Sequence, residues 1–195
     1  MTTRMIERCT TDFKSSRKDK PQWIVVHYTA CLASPIAVCE AMKRNKDAKA
    51  STNYIVGGDQ IVHCVDETKY YAWHCATSNR KTYCKATNKN SIGIDLCEKK
   101  VQTSTRSVSD NDWYFDEVTT KTAATLIAEL CIKHDISLDN VVRHYDVTHK
   151  ECPRPFTGDN RNSFYDTSGN YQWGSFKRKI ARAIERAKEK HSQNE

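Results

Sequence analysis

No segment of this chain is a long apolar run of the kind that spans a membrane or forms the apolar centre of a secretion signal. Residues 1–20 are polar and hold Arg4, Arg8, Lys14, Arg17, Lys18 and Lys20, so the expected place of synthesis is the cytosol, with no export signal in the chain itself. No CxxC pair occurs, and the nine cysteines are odd in number and dispersed from Cys9 to Cys152. Both facts argue against a disulfide framework and against a structural zinc finger. Most of the cysteines therefore read as small buried apolar residues. There is no internal repeat and no linker long enough to set off a second domain. A nucleic-acid-binding motif is also missing, and aromatic residues do not interleave with the basic C-terminal segment, which argues against a nucleic-acid partner.

What is present is 195 residues with a hydrophobic fraction of 38%, enough for one domain with its own core. The expectation is a polar extension over residues 1–20, then a single monomeric domain over residues 21–190 that includes a basic C-terminal helix. The net charge of +7 suggests a polyanionic partner, and charge alone does not choose among them. Much of the excess falls on Lys177, Arg178, Lys179, Arg182, Arg186, Lys188 and Lys190. A solvated helix face is the plain reading of that run; contact with an anionic wall or membrane is the other.

The run Trp23-Ile-Val-Val is short, β-branched and unbroken, as a strand buried on both faces should be, and it delivers His27 at its carboxyl end. Ser34-Pro35 is a helix start, and Ile36, Cys39 and Met42 carry the helix to about Asn45. Asn53-Tyr-Ile-Val56 and Ile61-Val-His-Cys-Val65 flank a glycine turn and predict a hairpin. Ala72-Trp73-His74 lies on a strand or its exit, and Ser91-Ile-Gly-Ile-Asp95-Leu-Cys97 is a further strand with a carboxylate inside an apolar run. Residues 99–118 read as a loop, Ala123 to Cys131 as a second amphipathic helix, and residues 157–171 as a long surface loop before a closing helix with Phe176, Ile180, Ala183, Ile184 and Ala187 on one side.

Three residues have ligand-like settings: His27, His144 in the loop after Val141-Val142, and Cys152 in Lys150-Glu-Cys152-Pro153. Two imidazoles and a thiolate are the donor set of an open zinc site whose fourth position is left for water and substrate, and that chemistry points to a hydrolase. Taken singly, each histidine reads better as a satisfied polar core residue and Cys152 as a buried thiol; taken jointly, the ligand reading is the stronger. A cysteine nucleophile using Cys152 with His144 is a further reading, one that predicts activity surviving chelation and lost on alkylation.

Together, Val-Val-His27, Ser51-Thr-Asn-Tyr-Ile-Val, Ala-Trp-His74, Asn90-Ser-Ile-Gly-Ile-Asp95 and His144-Tyr-Asp-Val-Thr-His-Lys150-Glu-Cys152-Pro resemble the zinc-dependent N-acetylmuramoyl-L-alanine amidases. That family takes in phage endolysins, bacterial autolysins and peptidoglycan recognition proteins, and the segments occur here in the same order from about Trp23 to Phe156. The resemblance implies an α/β fold, mixed in the α+β sense, with a central mixed β-sheet flanked by helices. It implies Zn²⁺ held by His27, His144 and Cys152, and bacterial peptidoglycan as substrate, cleaved between the lactyl group of N-acetylmuramic acid and the L-alanine of the stem peptide.

By the same resemblance Asp95 stands where the endolysin branch has a glutamate acting as general acid and base. The aspartate keeps the carboxylate and loses one methylene of reach; a role orienting a ligand histidine is its alternative. Lys150 matches a lysine near the developing oxyanion, with a plain surface lysine as the other reading. Thr52 replaces a tyrosine that some relatives use. Trp73, His74 and Asn53 are expected to contact substrate, though core packing suits Trp73 equally. The cellular role implied is a phage or prophage endolysin, made in the host bacterial cytoplasm and acting on the wall after release, with no separate wall-binding domain. The rival within the family is a peptidoglycan-binding module without activity; such members commonly lose the cysteine ligand, and this chain keeps it.

Overall fold

The β-branched residues Ile24, Val25 and Val26 are fully buried because their strand lies inside a sheet with neighbours on both edges and cover on both faces. The structure, a computed structural model, describes residues 3–7, 13–76, 81–105, 107–158, 161–162 and 164–192; Arg8 and Cys9 lie outside them. In chain order the elements are β1 (Arg4–Glu7), β2 (Lys14–Ser16), β3 (Trp23–Tyr28), α1 (Pro35–Arg44), β4 (Tyr54–Gly57), β5 (Gln60–His63), β6 (Tyr70–Ala72) and β7 (Ser91–Leu96). There follow β8 (Lys99–Lys100), β9 (Trp113–Tyr114), α2 (Glu117–His134), β10 (Val141–Arg143), α3 (His144–Thr148), β11 (Arg161–Asn162), β12 (Thr167–Ser168) and α4 (Gly169–Ser192).

Six strands form the central sheet in the order β1-β5-β4-β7-β3-β10. The β4–β5 hairpin is antiparallel and every other pairing is parallel. The hairpin turns at Gly58, whose φ of +59° is a left-handed conformation open to glycine at no steric cost. Alternation along the strands then sorts the side chains. Ile24, Val26, Ile92, Ile94 and Leu96 face α2 and α4 in the main core, where Ile127 and Ile180 are fully buried. Burial of that kind stabilises by about 1.5–3 kcal/mol per side chain. Val25 faces the other way, in a smaller cluster with Ala76, Ala86 and Val147. His27, two residues after Val25, and Asp95, two after Gly93, emerge on that second face. They are direct partners in the β3–β7 register, at the carboxyl ends of parallel strands.

Helix α1 begins where expected, with the Ser34 hydroxyl accepting from the Ala37 N–H, and α2 is capped by Asp116 accepting from Thr119. Four expectations are corrected. Residues 1–20 are not a mere extension: β1 forms an edge of the main sheet and β2 pairs with β6. Arg17 also donates to the backbone carbonyls of Lys89 and Ser91. Strands this short and polar carry no period-2 signal, which is why the sequence pattern misses them. The same reason applies to β8 and β9 within the expected loop over residues 99–118, pinned by the buried Lys100 ammonium on Asp110 and Asp112. His144 opens helix α3 instead of lying in a loop. Finally α4 starts at Gly169, inside the segment expected to be loop, and β11 and β12 pair just before it.

Candidate metal centre

Strand β3 ends by presenting His27, β10 leads directly into His144 at the start of α3, and Cys152 follows four residues after α3 ends. These three side chains converge from distant parts of the chain: their donor atoms all lie within 4.8 Å of one another, and all three residues are buried. The Cys152 Sγ is 3.7 Å from His27 Nδ1, and the His27 and His144 rings meet edge to face at 4.8 Å. The Tyr145 N–H donates to the Cys152 carbonyl at 2.8 Å, tying the two downstream ligand segments together. Arg143, just before His144, forks onto Asp146 and also donates to the Phe156 carbonyl and Asn170 Oδ1, so the start of α3 is anchored to the main core.

The donor set fits a zinc ion. Burial holds His27 well below the usual imidazole range, with the His144, His74 and Lys150 charges adding to it. Burial, then Lys150, brings His144 down to about 4. Both rings are therefore neutral, the form that offers a lone pair. His144 Nδ1 is buried and has no hydrogen-bond partner among the described residues, which is costly unless a cation takes that lone pair. Burial pushes the Cys152 thiol up to about 12, so a thiolate here needs a positive charge beside it. Two nitrogens and one sulfur with a fourth position left over is the pattern of an open zinc site.

Asp95 is 7% exposed, and burial pushes its carboxyl up to about 7; a hydrogen bond from Thr52 pulls against this and the charge of Glu98 adds to it. A carboxyl poised there can hold or release a proton near neutrality. The Lys150 side chain is exposed at the rim, and its charge is felt at His27, His144, Asp95 and Cys152. The two expected catalytic groups are thus gathered at the ligand cluster.

The three expected substrate contacts divide differently. Asn53 is corrected outright: it is fully buried, its amide oxygen accepting from the Gly93 N–H and its amide nitrogen donating to the Val65 carbonyl, so it ties β7 to the segment that follows β5. Trp73 is half-buried, donates from Nε1 to Ser15 and packs on Phe13, the packing alternative. The His74 ring, only partly buried, is 3.0 Å from His27 Nε2 and 3.1 Å from Ser91 Oγ, against a candidate ligand.

Sequence reasoning missed Ser91, which is fully buried behind His74, and Glu98. The Glu98 carboxylate accepts from the N–H groups of Thr29 and Cys31, on either side of Ala30 with its left-handed φ of 56°. That contact fixes the turn that follows the ligand strand. A charged residue just past the end of the β7 pattern was the one available signal.

Residues 17–155 match the family model described as N-acetylmuramoyl-L-alanine amidase. The chain is 31% identical over 147 residues to the N-acetylmuramoyl-L-alanine amidase CwlL of Bacillus licheniformis, a match covering 70% of this chain and 37% of that protein. It therefore spans well under half the length of that relative. Among solved structures, a mutant endolysin from Bacillus subtilis superposes with a TM-score of 0.66 at 27% identity, covering 92% of this chain and 99% of that one. The catalytic domain of XlyA gives 0.64 at 27% identity, covering 91% and 99%.

Proposed function

The chain belongs to the N-acetylmuramoyl-L-alanine amidase family, and from that premise we propose that it is an endolysin-like zinc hydrolase of bacterial peptidoglycan. It cleaves the amide between the lactyl group of N-acetylmuramic acid and the L-alanine of the stem peptide. The observation that carries this reading is the convergence of His27, His144 and Cys152 donor atoms within 4.8 Å, next to a buried carboxyl poised near neutrality. Retention of all three ligands favours catalysis over a binding module of the same fold.

Zinc, when bound, supplies Lewis-acid polarisation of the scissile carbonyl and acidifies the attacking water. His27, His144 and Cys152 are the residues that would hold it. Asp95 takes a proton from the attacking water on its carboxylate and returns it to the alanine nitrogen as the C–N bond breaks, a role supported by its raised pKa. The Lys150 ammonium at the rim stabilises the negative charge that develops on the carbonyl oxygen.

The basic helix α4 supports a second contact. Lys177 is engaged with the carbonyls of Leu138 and Val141, and Lys179 with Glu117 and Thr120, so those two charges serve packing. Arg178, Arg182, Arg186 and Lys190 remain as an exposed stripe at four-residue spacing. That stripe holds the monomer on the anionic envelope.

The deciding experiment is digestion of purified walls with the protein as isolated, after chelation, and after zinc is restored. New alanine amino groups that vanish on chelation and return with zinc are expected. New reducing sugars, or activity that resists chelation and dies on alkylation, would overturn the reading.

A further inference from the structure

We propose that His74 is a positioning residue that fixes the tautomer and orientation of the His27 ring, so that Nδ1 alone is offered to the metal. The inference rests on the zinc reading above and names a residue whose expected role was contact with substrate.

The argument follows the protons. The Ser91 hydroxyl has one proton, and it is donated to the Thr87 carbonyl, which has none to give back. Ser91 Oγ can then meet His74 Nε2, 3.1 Å away, only as an acceptor. The His74 proton is thereby placed on Nε2 and its Nδ1 is left bare. That bare nitrogen lies 3.0 Å from His27 Nε2, which must be the donor. A neutral imidazole carries one N–H, so His27 Nδ1 is the lone-pair nitrogen, and it is the atom that faces Cys152 Sγ at 3.7 Å. One proton arrangement satisfies all four groups.

The ring has no freedom to abandon this role. A Cβ built on Gly93 would stand 2.6 Å from His74 Cγ, so the imidazole lies flat against a position that only glycine can occupy. The backbone N–H groups of His74 and Cys75 both donate to Asn88 Oδ1, at 3.0 and 2.8 Å. Asn88 therefore clamps the backbone that carries the imidazole set against His27. Orientation of metal-bound histidine by a second group is general, and here that group is another histidine.

The test is zinc affinity, by competition against a chromophoric chelator, with long-range ¹H–¹⁵N NMR of the zinc-loaded protein to read which His27 nitrogen is protonated. His74→Ala is expected to weaken zinc binding by about 10–100-fold while the metal-free protein keeps its circular dichroism and melting temperature. His74→Asn, whose amide oxygen can accept where Nδ1 did, should recover most of the affinity. Ser91→Ala, which leaves the packing intact, should weaken binding by a few-fold and let the His74 tautomers mix; it also decides the matter should His74→Ala fail to fold. The proposal is overturned by wild-type affinity in both His74→Ala and Ser91→Ala, by His27 bound through Nε2, or by His74→Asn falling as far as His74→Ala. A wild-type protein that takes up no zinc would sink the metal reading and this one together. Zinc-binding wild type with indifferent variants would sink this one alone.

Discussion

Glu67 and Asp95 are both carboxylates sunk into the protein beside histidines, 1% and 7% exposed, yet their surroundings move their acidities in opposite directions. Glu67 receives the Tyr54 hydroxyl and the Lys133 ammonium, each at 2.7 Å, with His63 at 3.1 Å and His134 at 3.4 Å. Burial alone would raise it, but His63, Lys133 and Tyr54 outweigh that and hold it well below the usual carboxylate range. Asp95 has the Thr52 hydroxyl against burial and the charge of Glu98, and it ends near 7. Burial with donors on every side makes a charge part of the frame; burial with few leaves it free to trade a proton. The histidines differ in their charged neighbours: His63 lies between two carboxylates, Glu7 at 2.8 Å and Glu67 at 3.1 Å, whereas His144 sits against the His27 ring.

The largest test of this contrast removes a ligand. Cys152→Ser or His144→Ala should abolish both stoichiometric zinc and wall lysis while circular dichroism stays native, measured by metal analysis and turbidity loss. Next, Asp95→Asn should lower kcat by about 10²–10⁴-fold with zinc content retained and thermal stability equal or higher, since a poorly satisfied buried carboxyl is removed. Asp95→Glu should keep most of the activity. At the other cluster, Glu67→Gln should cost about 3 kcal/mol in urea unfolding, the low end for stripping a partner from a buried pair because Lys133 is half exposed. Its turnover per folded molecule should not change; a collapse of kcat would erase the distinction between the two clusters. Lys150→Ala should lose about 10²-fold in kcat/KM with little change in zinc affinity.

The smallest effect is one of pH. Burial works against charge on His63, yet Glu67 and Glu7 together raise its pKa above the ordinary histidine value. Its contribution to stability is therefore fully present below about pH 6.5 and fades as pH rises through the elevated folded value. Denaturant midpoints of wild type and His63→Gln should diverge at low pH and converge at high pH. A gap that widens with rising pH would reverse the assignment of charge in this cluster.

Much of the frame was legible from pattern. The β-branched run places β3 in the middle of the sheet, the glycine turn makes the β4–β5 hairpin, and apolar periodicity marks α2. The three candidate ligands were legible as a group because each follows directly on a recognisable segment, and the structure brings them together. What stayed hidden depends on pairs far apart in sequence. Ala72-Trp73-His74 reads the same whether the imidazole points to a groove or inward, and the deciding feature is a missing Cβ at Gly93. Asn53 looks available until its amide is seen bound to Gly93 and Val65. The Glu67 cluster gave no signal at all, since Lys133 and His134 reach it from the far end of α2.

The guanidinium of Arg17 matters to anyone who would graft this domain onto another protein. It grips the carbonyls of Lys89, in the turn just before β7, and of Ser91, the first residue of β7 and the one that meets His74. A graft cut at Pro21, where the sequence invites the scissors, would keep every candidate site residue and discard the clasp behind them; a safe joint lies upstream of β1.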